Sequence, residues 1–441
     1  MAGKFEVYQD QSGKFRWRLK AGNGEPIASG EAYDTKSGAV RATQAVQRAA
    51  SGAKLEDLTS TTSRTSTGLS ATPHHGVDHV VVLVQENHTI DNYFSGLAPW
   101  GVNVATGWPV EPNPPTADQP HDRSAYYHWL TSGKATRASF DTLSVLPYYS
   151  YLALTGAFLE NHCSGFGTNS TPNHLMIVGG QSPTMRNPPR TNPPVWDLPS
   201  LPGSAEDHGV SWRCYCPYGG YPVSFYTQLK GSPNVTTPGR FVTDVQAGQM
   251  ATLSMIWHAS PDDEHPPADV RLGETAVRAA VDAVVAAGKW DRTVFLLTWD
   301  DWGGWDDHVA TPNVEHTSDG IQCAYGPRVP LLMFGGPVAA KIDPRWNSHV
   351  AITKTALQLL GLPALGVPRV DEDPGLTDLV GETPVTPAPP AAPAVPPLPP
   401  APQPTPPPPQ VPPPPSAASI PTPECVLRDG TTIPAPNDVP V

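Results

Sequence analysis

The sequence predicts an α/β protein built on a mostly parallel sheet, and three stretches predict it. Val294-Phe295-Leu296-Leu297 and Val80-Val81-Val82-Leu83-Val84 are short, continuous apolar runs, the pattern of strands buried on both faces. Gly273 to Gly288 (GETAVRAAVDAVVAAG) is apolar at helical spacing and leads into the first of these runs. Ser254-Met255-Ile256-Trp257 precedes that helix as a further short strand, and strand, helix, strand is βαβ order.

Both apolar runs end in ligand-type side chains. The first passes through Trp299 into Asp300-Asp301, is broken by Gly303-Gly304, and continues as Asp306-Asp307-His308. The second passes through Gln85 into Glu86-Asn87-His88. Ligands in open α/β sheets sit beyond the carboxyl ends of strands, and adjacent acids there repel unless a cation or a shared proton holds them. A solvated acidic turn accounts for either stretch alone. Together, Glu86, Asn87, Asp300 and Asp301 form an oxygen-only set that suits magnesium, calcium or manganese.

The chain has 441 residues, 56 of them proline, and a formal charge of −13. The length holds one large α/β domain with accessories. The acidic balance argues against a nucleic-acid-binding surface, but not against an anionic substrate, because a bound metal inverts the local field. The five cysteines (Cys163, Cys214, Cys216, Cys323 and Cys425) match no zinc spacing, and reduced thiols are the simpler reading. Met1 to Glu6 shows no apolar signal-peptide core and no run is long enough to span a bilayer, so a cytoplasmic location is expected, with export by another route as the alternative.

Taken in order, residues 1–50 form a small α+β unit. Phe5 to Tyr8, Phe15 to Leu19 and Pro26 to Ser29 alternate as strands around Asp10-Gln11-Ser12-Gly13 and Asn23-Gly24 turns, and Lys36 to Ala50 has helical spacing. Residues 51–75 are a Ser/Thr/Gly linker. The large domain spans 76–382. Helices are expected near Ala125 to Leu130, from Leu152 to Phe158 and from Ile352 to Leu360, and a strand at Val329 to Phe334. Residues 180–250 read as a loop-rich insertion that walls or lids a site. Thr171-Pro172 is a good helix start, with Thr at N-cap and Pro at N1. That accounts for Thr171 by itself, but a hydroxyl at a helix N-terminus also sits where a phosphate is favoured. Residues 383–441 form a proline-rich tail, expected to be extended, disordered and unable to pack a core.

The N-terminal stretch GKFEVYQDQSGKFRWRLKAGNGEPIASGEAY resembles the small YegP-like domain, which suggests a contact or dimerisation module. Across the large domain, QENHTIDNYF, NSTPNHL, EHPPADVRLGE, WDDWGGWDDHV and GPRVPLL stand in the order of the phosphoesterase family, which holds non-specific phospholipases C and acid phosphatases. The resemblance implies an alkaline-phosphatase-like fold and a divalent metal (calcium, magnesium, manganese or zinc) on Glu86, Asn87, Asp300 and Asp301. It implies Thr171 as the nucleophile that forms a phospho-threonine, and active-site roles for His265, His308, His121 and Lys134. The expected activity is hydrolysis of a phosphoric ester, a phospholipid among the candidates. Protein contacts through the N-terminal unit or the tail are a further expectation. The sequence departs from the family at His88 and His174, where Arg is usual, and at Asn92, where His is common. Each histidine is also readable as a structural residue, and a non-catalytic scaffold with a degenerate site is the alternative function.

Overall fold

A computed structural model describes residues 4–10, 13–20 and 26–29, single positions at 33, 35, 36, 40 and 43, and residues 76–311, 315–316, 322–323, 325–394 and 397–402. The chain forms two compact units, divided between Thr67 and Gly68.

In the first unit, β1 (Lys4–Gln9), β2 (Phe15–Lys20) and β3 (Pro26–Ser29) form an antiparallel sheet in chain order. Phe5 packs on buried Trp17 at 5.6 Å between ring centroids. The helix expected from Lys36 and the linker at 51–75 fall largely or wholly outside the described residues.

The second unit is organised by an eight-stranded sheet in the order β13-β5-β12-β9-β4-β8-β6-β7. In chain order these strands are β4 (His79–Gln85), β5 (Ala157–Cys163), β6 (Trp212–Tyr215), β7 (Val235–Thr236), β8 (Leu253–Trp257), β9 (Thr293–Trp299), β12 (Leu331–Phe334) and β13 (Lys341–Ser348). A separate two-residue ladder pairs β10 (Glu315–His316) with β11 (Gln322–Cys323). Only β12 runs against its neighbours, so the sheet is mostly parallel, as expected. Alternate residues of one strand feed opposite faces. Val80, Val82 and Val84 join the core on one side, and Val81 and Leu83 the core on the other. Both faces are covered, which is why these strands read as unbroken apolar runs.

The principal helices are α1 (Ile90–Phe94), α2 (Arg123–Ser132), α3 (Pro147–Thr155), α4 (Ser170–Gly179), α5 (Val270–Ala286) and α6 (His349–Leu359). α4 and α6 pack on one face, and α1, α3 and α5 on the other. The helix expected to run to Phe158 stops at Thr155, and Ala157–Cys163 is a strand instead. Gly156 makes the break tight, because a Cβ there would come within 2.5 Å of the Met333 carbonyl. β6 lies inside the stretch expected to be loop. No helix among the described residues is long and apolar enough to cross a membrane. Cys163, Cys214 and Cys216 are buried, and Cys214 and Cys216 are free thiols.

The proline-rich segment departs from expectation. Residues 383–394 and 397–402 are laid along the body rather than detached from it. Trp290 Nε1 donates to the Thr386 carbonyl (2.9 Å), Arg278 Nη2 to those of Pro390 (3.2 Å) and Ala394 (2.7 Å), and Trp100 Nε1 to that of Pro399 (2.7 Å). Extended proline-rich backbone makes no internal hydrogen bonds, so its carbonyls are open to side-chain donors from the body. Residues 403–441 lie outside the described residues.

Under the ends of the central strands sits a fully buried carboxyl, Glu264. Its Oε1 accepts from Gln85 Nε2 (2.9 Å) and Tyr149 OH (2.5 Å), and its Oε2 from Tyr93 OH (2.6 Å) and Trp299 Nε1 (2.9 Å). One side chain thus ties the last residues of β4 and β9 to α1 and α3. Gly273 of α5 lies against it, since a Cβ there would meet Glu264 Cγ at 2.2 Å. Burial outweighs the four donors and pushes Glu264 from 4.5 up to about 8. The folded chain therefore keeps a proton that the unfolded chain loses near pH 4.5, and stability falls as pH rises from there to about 8. Asp263 and Glu274, each raised to about 7 chiefly by burial, act in the same direction. Denaturant titrations of chelated protein between pH 5 and pH 8 are expected to show a loss of a few kcal/mol. In Glu264→Gln, which cannot titrate, the loss is expected to be smaller. Equal slopes in the two proteins would contradict this role.

Candidate active site

β4 and β9 are parallel neighbours, with Gln85 opposite Trp299. The next residues, Glu86 and Asp300, therefore leave the sheet side by side. The Asp300 N–H still donates to the Gln85 carbonyl (3.0 Å), and the Asn87 N–H donates to Asp300 Oδ1 (3.0 Å). Asn87 turns the chain in the left-handed region (φ 66°). Gly303 (φ 59°) comes so close beneath it that a Cβ would lie 2.1 Å from the Asn87 carbonyl oxygen, so the glycine is required both by conformation and by space. The Gly303 N–H donates to Asp301 Oδ1 (2.8 Å). All four residues expected as metal ligands thus meet at one place.

A fifth side chain joins them. His174 Nε2 lies 3.1 Å from Glu86 Oε1 and 3.5 Å from Asp300 Oδ2. Its Nδ1 accepts from Trp257 Nε1 (3.2 Å), which assigns the proton to Nε2 when the ring is neutral. Atoms of Glu86, His174 and Asp300 all lie within 4.8 Å of one another, with the Nε2–H of His174 turned to the two carboxylates. His174 was legible only as a departure from the family pattern. Its signal was its position, one helical turn past the Ser170-Thr171 pair on α4.

The electrostatics are those of a crowded acid cluster. Burial, and then the charge of Glu86, push Asp300 up to about 6. Burial and the charge of Asp300 raise Asp301 well above the carboxylate range. Burial works against the His174 proton, but Glu86 and Asp300 outweigh it and the pKa is raised. Burial works against Glu86 as well, yet the charge and hydrogen bond of His174 hold it below its ordinary value. Two buried oxygens in the cluster, Asn87 Oδ1 and Asp300 Oδ2, have no hydrogen-bond partner. Unsatisfied buried acceptors beside carboxylates of raised basicity are what a divalent cation would satisfy.

The hydroxyl facing this cluster belongs to Ser170. Its Oγ lies 3.4 Å from Asp301 Oδ2, and it is among the groups that hold Glu86 below its ordinary value. Asn169 is the N-cap of α4 and Ser170 its first residue, so Thr171 lies inside the first turn rather than at the cap. The early start is permitted because the first N–H groups of a helix lack intrahelical acceptors and Pro172 forfeits nothing there. Consecutive helical residues point about 100° apart. Thr171 is turned from Asp301 toward Tyr221 at the edge of the cluster, with its Oγ1 2.9 Å from Tyr221 OH and its N–H donating to Asn187 Oδ1 (2.8 Å).

Of the other expected residues, His121 and His265 come together and the rest do not. Their ring centroids are 6.0 Å apart, and His121 Nε2 is 3.5 Å from Asn87 Nδ2. His121 Nδ1 donates to the Gln119 carbonyl (2.6 Å) and His265 Nδ1 to that of Pro266 (2.8 Å). Burial opposes the charged form of His265, but Glu86, Asp118 and Asp300 raise it overall. His308 belongs to a different network, bonded through Nδ1 to Asp91 Oδ2 (2.7 Å). There, buried Arg328 also holds Asp307 through Nε (2.7 Å) and Nη2 (3.1 Å). Lys134 is exposed just past the end of α2. His88 and Asn92, both departures from the family pattern, are bonded to each other (2.6 Å). Burial lowers His88 to about 3, so it is a neutral structural ring.

The chain is similar to phospholipase C A of Mycobacterium tuberculosis (24% identical over 326 residues, 56% of this chain and 62% of the relative). It therefore spans about three fifths of that relative's length. Its N-terminal unit is similar to a UPF0339 protein of Treponema denticola (53% identical over 58 residues, 13% of this chain and all of the relative). Among solved structures it is similar to a protein in the alkaline phosphatase superfamily from Vibrio parahaemolyticus (TM-score 0.40, 13% identity, 68% of this chain and 70% of that one). A domain of unknown function, DUF1508, matches residues 10–57. The phosphoesterase family model matches residues 115–356, more than half of the sequence, and the chain belongs to the phosphoesterase family.

Proposed function

We propose that this chain is a metal-dependent hydrolase of phosphoric esters with Ser170 as its nucleophile. The observation that carries the reading is the Ser170 hydroxyl, placed at the N-terminus of α4 against Asp301 and Glu86. Glu86 and Asp300, with Asn87 Oδ1 and Asp301 at hand, are the residues that would hold a divalent cation, and His174 would orient the two carboxylates through its Nε2. When bound, such a cation favours the ionised hydroxyl and screens the charge of the phosphoryl oxygens.

The chain's own groups account for the proton movements. Ser170 Oγ bonds to phosphorus as the bond from phosphorus to the alcohol oxygen breaks. Its proton passes to the ionised Asp301 carboxylate, whose Oδ2 lies 3.4 Å from Ser170 Oγ. His265, held protonated by the neighbouring acids, gives a proton to the departing alkoxide. Water then attacks the phosphoserine and releases phosphate, or a phosphomonoester when the substrate leaves the second ester bond on that side, and Ser170 is restored. The likeness to a phospholipase C makes phosphodiesters the first substrate class to assay and monoesters the second.

The test compares wild type, Ser170→Ala and Thr171→Ala on p-nitrophenyl phosphorylcholine and p-nitrophenyl phosphate. Each is assayed after chelation and with single divalent metals restored. Wild type is expected to lose turnover on chelation and regain it with metal. Ser170→Ala is expected to lose about 10⁴-fold or more in kcat, as removal of a nucleophile does, and Thr171→Ala about a hundredfold at most. Full activity in Ser170→Ala would overturn the assignment, and a greater loss in Thr171→Ala would return the role to Thr171.

A further inference from the structure

Thr171 and Tyr221 present a pair of hydroxyls at the edge of the carboxylate cluster. Their oxygens are 2.9 Å apart, and either can be the donor. Two hydroxyls carry two protons, and their mutual bond uses one. Among the described residues neither oxygen has a second hydrogen-bond partner. One O–H donor is therefore left over, beside the first turn of α4 where Ser170 faces the acids.

The pair is held in place on every side. The Thr171 N–H is bonded to Asn187. The Tyr221 ring packs edge-on against His174 (5.3 Å, 90°) and Phe225 (5.8 Å, 76°). The Tyr221 N–H donates to the Pro217 carbonyl (3.0 Å), closing the turn that carries it. That turn is fastened at its tip by Tyr218, whose OH accepts from the Ser260 N–H (3.1 Å). A tyrosine hydroxyl keeps its proton at neutral pH. A fixed neutral donor beside three carboxylates fits an oxygen that carries negative charge without adding to the local repulsion.

We propose that the Tyr221–Thr171 hydroxyl pair is a substrate-binding element whose spare O–H donates to a non-bridging phosphoryl oxygen of the bound ester. This rests on the hydrolase reading above. It gives Thr171 a role other than nucleophile, and it makes the 180–250 insertion, through Tyr221, a contributor to substrate recognition.

The experiment compares wild type, Tyr221→Phe, Thr171→Val and the double variant in the metal-loaded full chain. Turnover of both p-nitrophenyl esters is measured, together with inhibition by inorganic phosphate and the rise in melting temperature that phosphate produces. Each single variant is expected to lose about tenfold to a hundredfold in kcat/KM, with weaker phosphate inhibition and a smaller phosphate-induced rise. The melting temperature without phosphate is expected to stay near wild type. The double variant is expected to be little worse than either single one, because the two hydroxyls act as a unit. Wild-type kinetics and phosphate binding in Tyr221→Phe would overturn the proposal while leaving the hydrolase reading intact. A wild type that turns over no ester would sink the hydrolase reading, and phosphate binding alone would then decide the donor's role: it stands if Tyr221→Phe weakens phosphate and falls otherwise.

Discussion

The structure depends on one register. β4 and β9 lie side by side and parallel, with Gln85 opposite Trp299, so whatever follows these two residues must share one small volume. Glu86, Asp300 and Asp301 follow them. Three carboxylates at a buried strand end are costly unless each finds a proton, a cation or a donor. The chain supplies only part of that compensation. His174 answers Glu86 and Asp300, Gly303 and Asn87 offer backbone N–H groups, and Ser170 offers its hydroxyl. Asp300 Oδ2 and Asn87 Oδ1 are left without partners. Acceptors without a hydrogen bond, set among carboxylates of raised basicity, are what a divalent cation would satisfy.

The surroundings make that arrangement rigid. Glu264 draws Gln85 and Trp299, the last residues of the two strands, onto Tyr93 and Tyr149 of the covering helices. A strand end held through its own side chain cannot slip without breaking a buried network. The second acid pair of the same loop serves the scaffold in another way. Asp306 accepts from Trp129 Nε1 and Arg137 Nε, and Asp307 is forked by Arg328. Adjacent acids on one loop thus divide into two that face the site and two spent on holding it. The loop 258–265 joins both tasks, since Glu264 anchors the strands and His265 reaches the site.

Much of this was legible in the sequence because the signals were strong and local. The runs Val80–Val84 and Val294–Leu297 announced strands covered on both faces, and the acids after them announced the site. The helix expected at Gly273 to Gly288 is observed at Val270–Ala286. What escaped was set by tertiary contacts. Ala157–Cys163 carries Glu160, Asn161 and His162, which break its apolar pattern, yet it pairs on both sides within the sheet. The start of α4, capped by Asn169 rather than Thr171, decides which hydroxyl faces the acids; Asn is the somewhat better cap, but Pro172 pointed to Thr171 because Pro favours N1. His174 looked like a substitution for arginine, and only the fold shows it between Glu86 and Asp300. Residues 383–394 and 397–402 looked unable to pack because an extended proline-rich backbone builds no core, but donors to its carbonyls come from Trp100, Arg278 and Trp290.

The central claim is that the register-forced carboxylate cluster is a cation site, and cation binding with its proton release tests it most directly. A divalent metal is titrated calorimetrically into chelated protein at pH 7 in two buffers of different ionisation enthalpy, with wild type beside Asp300→Asn. The account predicts tight binding by wild type. Protons leave as Asp300 and Asp301 give them up to the metal, and binding raises the melting temperature. The variant is predicted to bind far more weakly. Binding that is equal in the two proteins, or absent from wild type for every divalent metal tried, would contradict it.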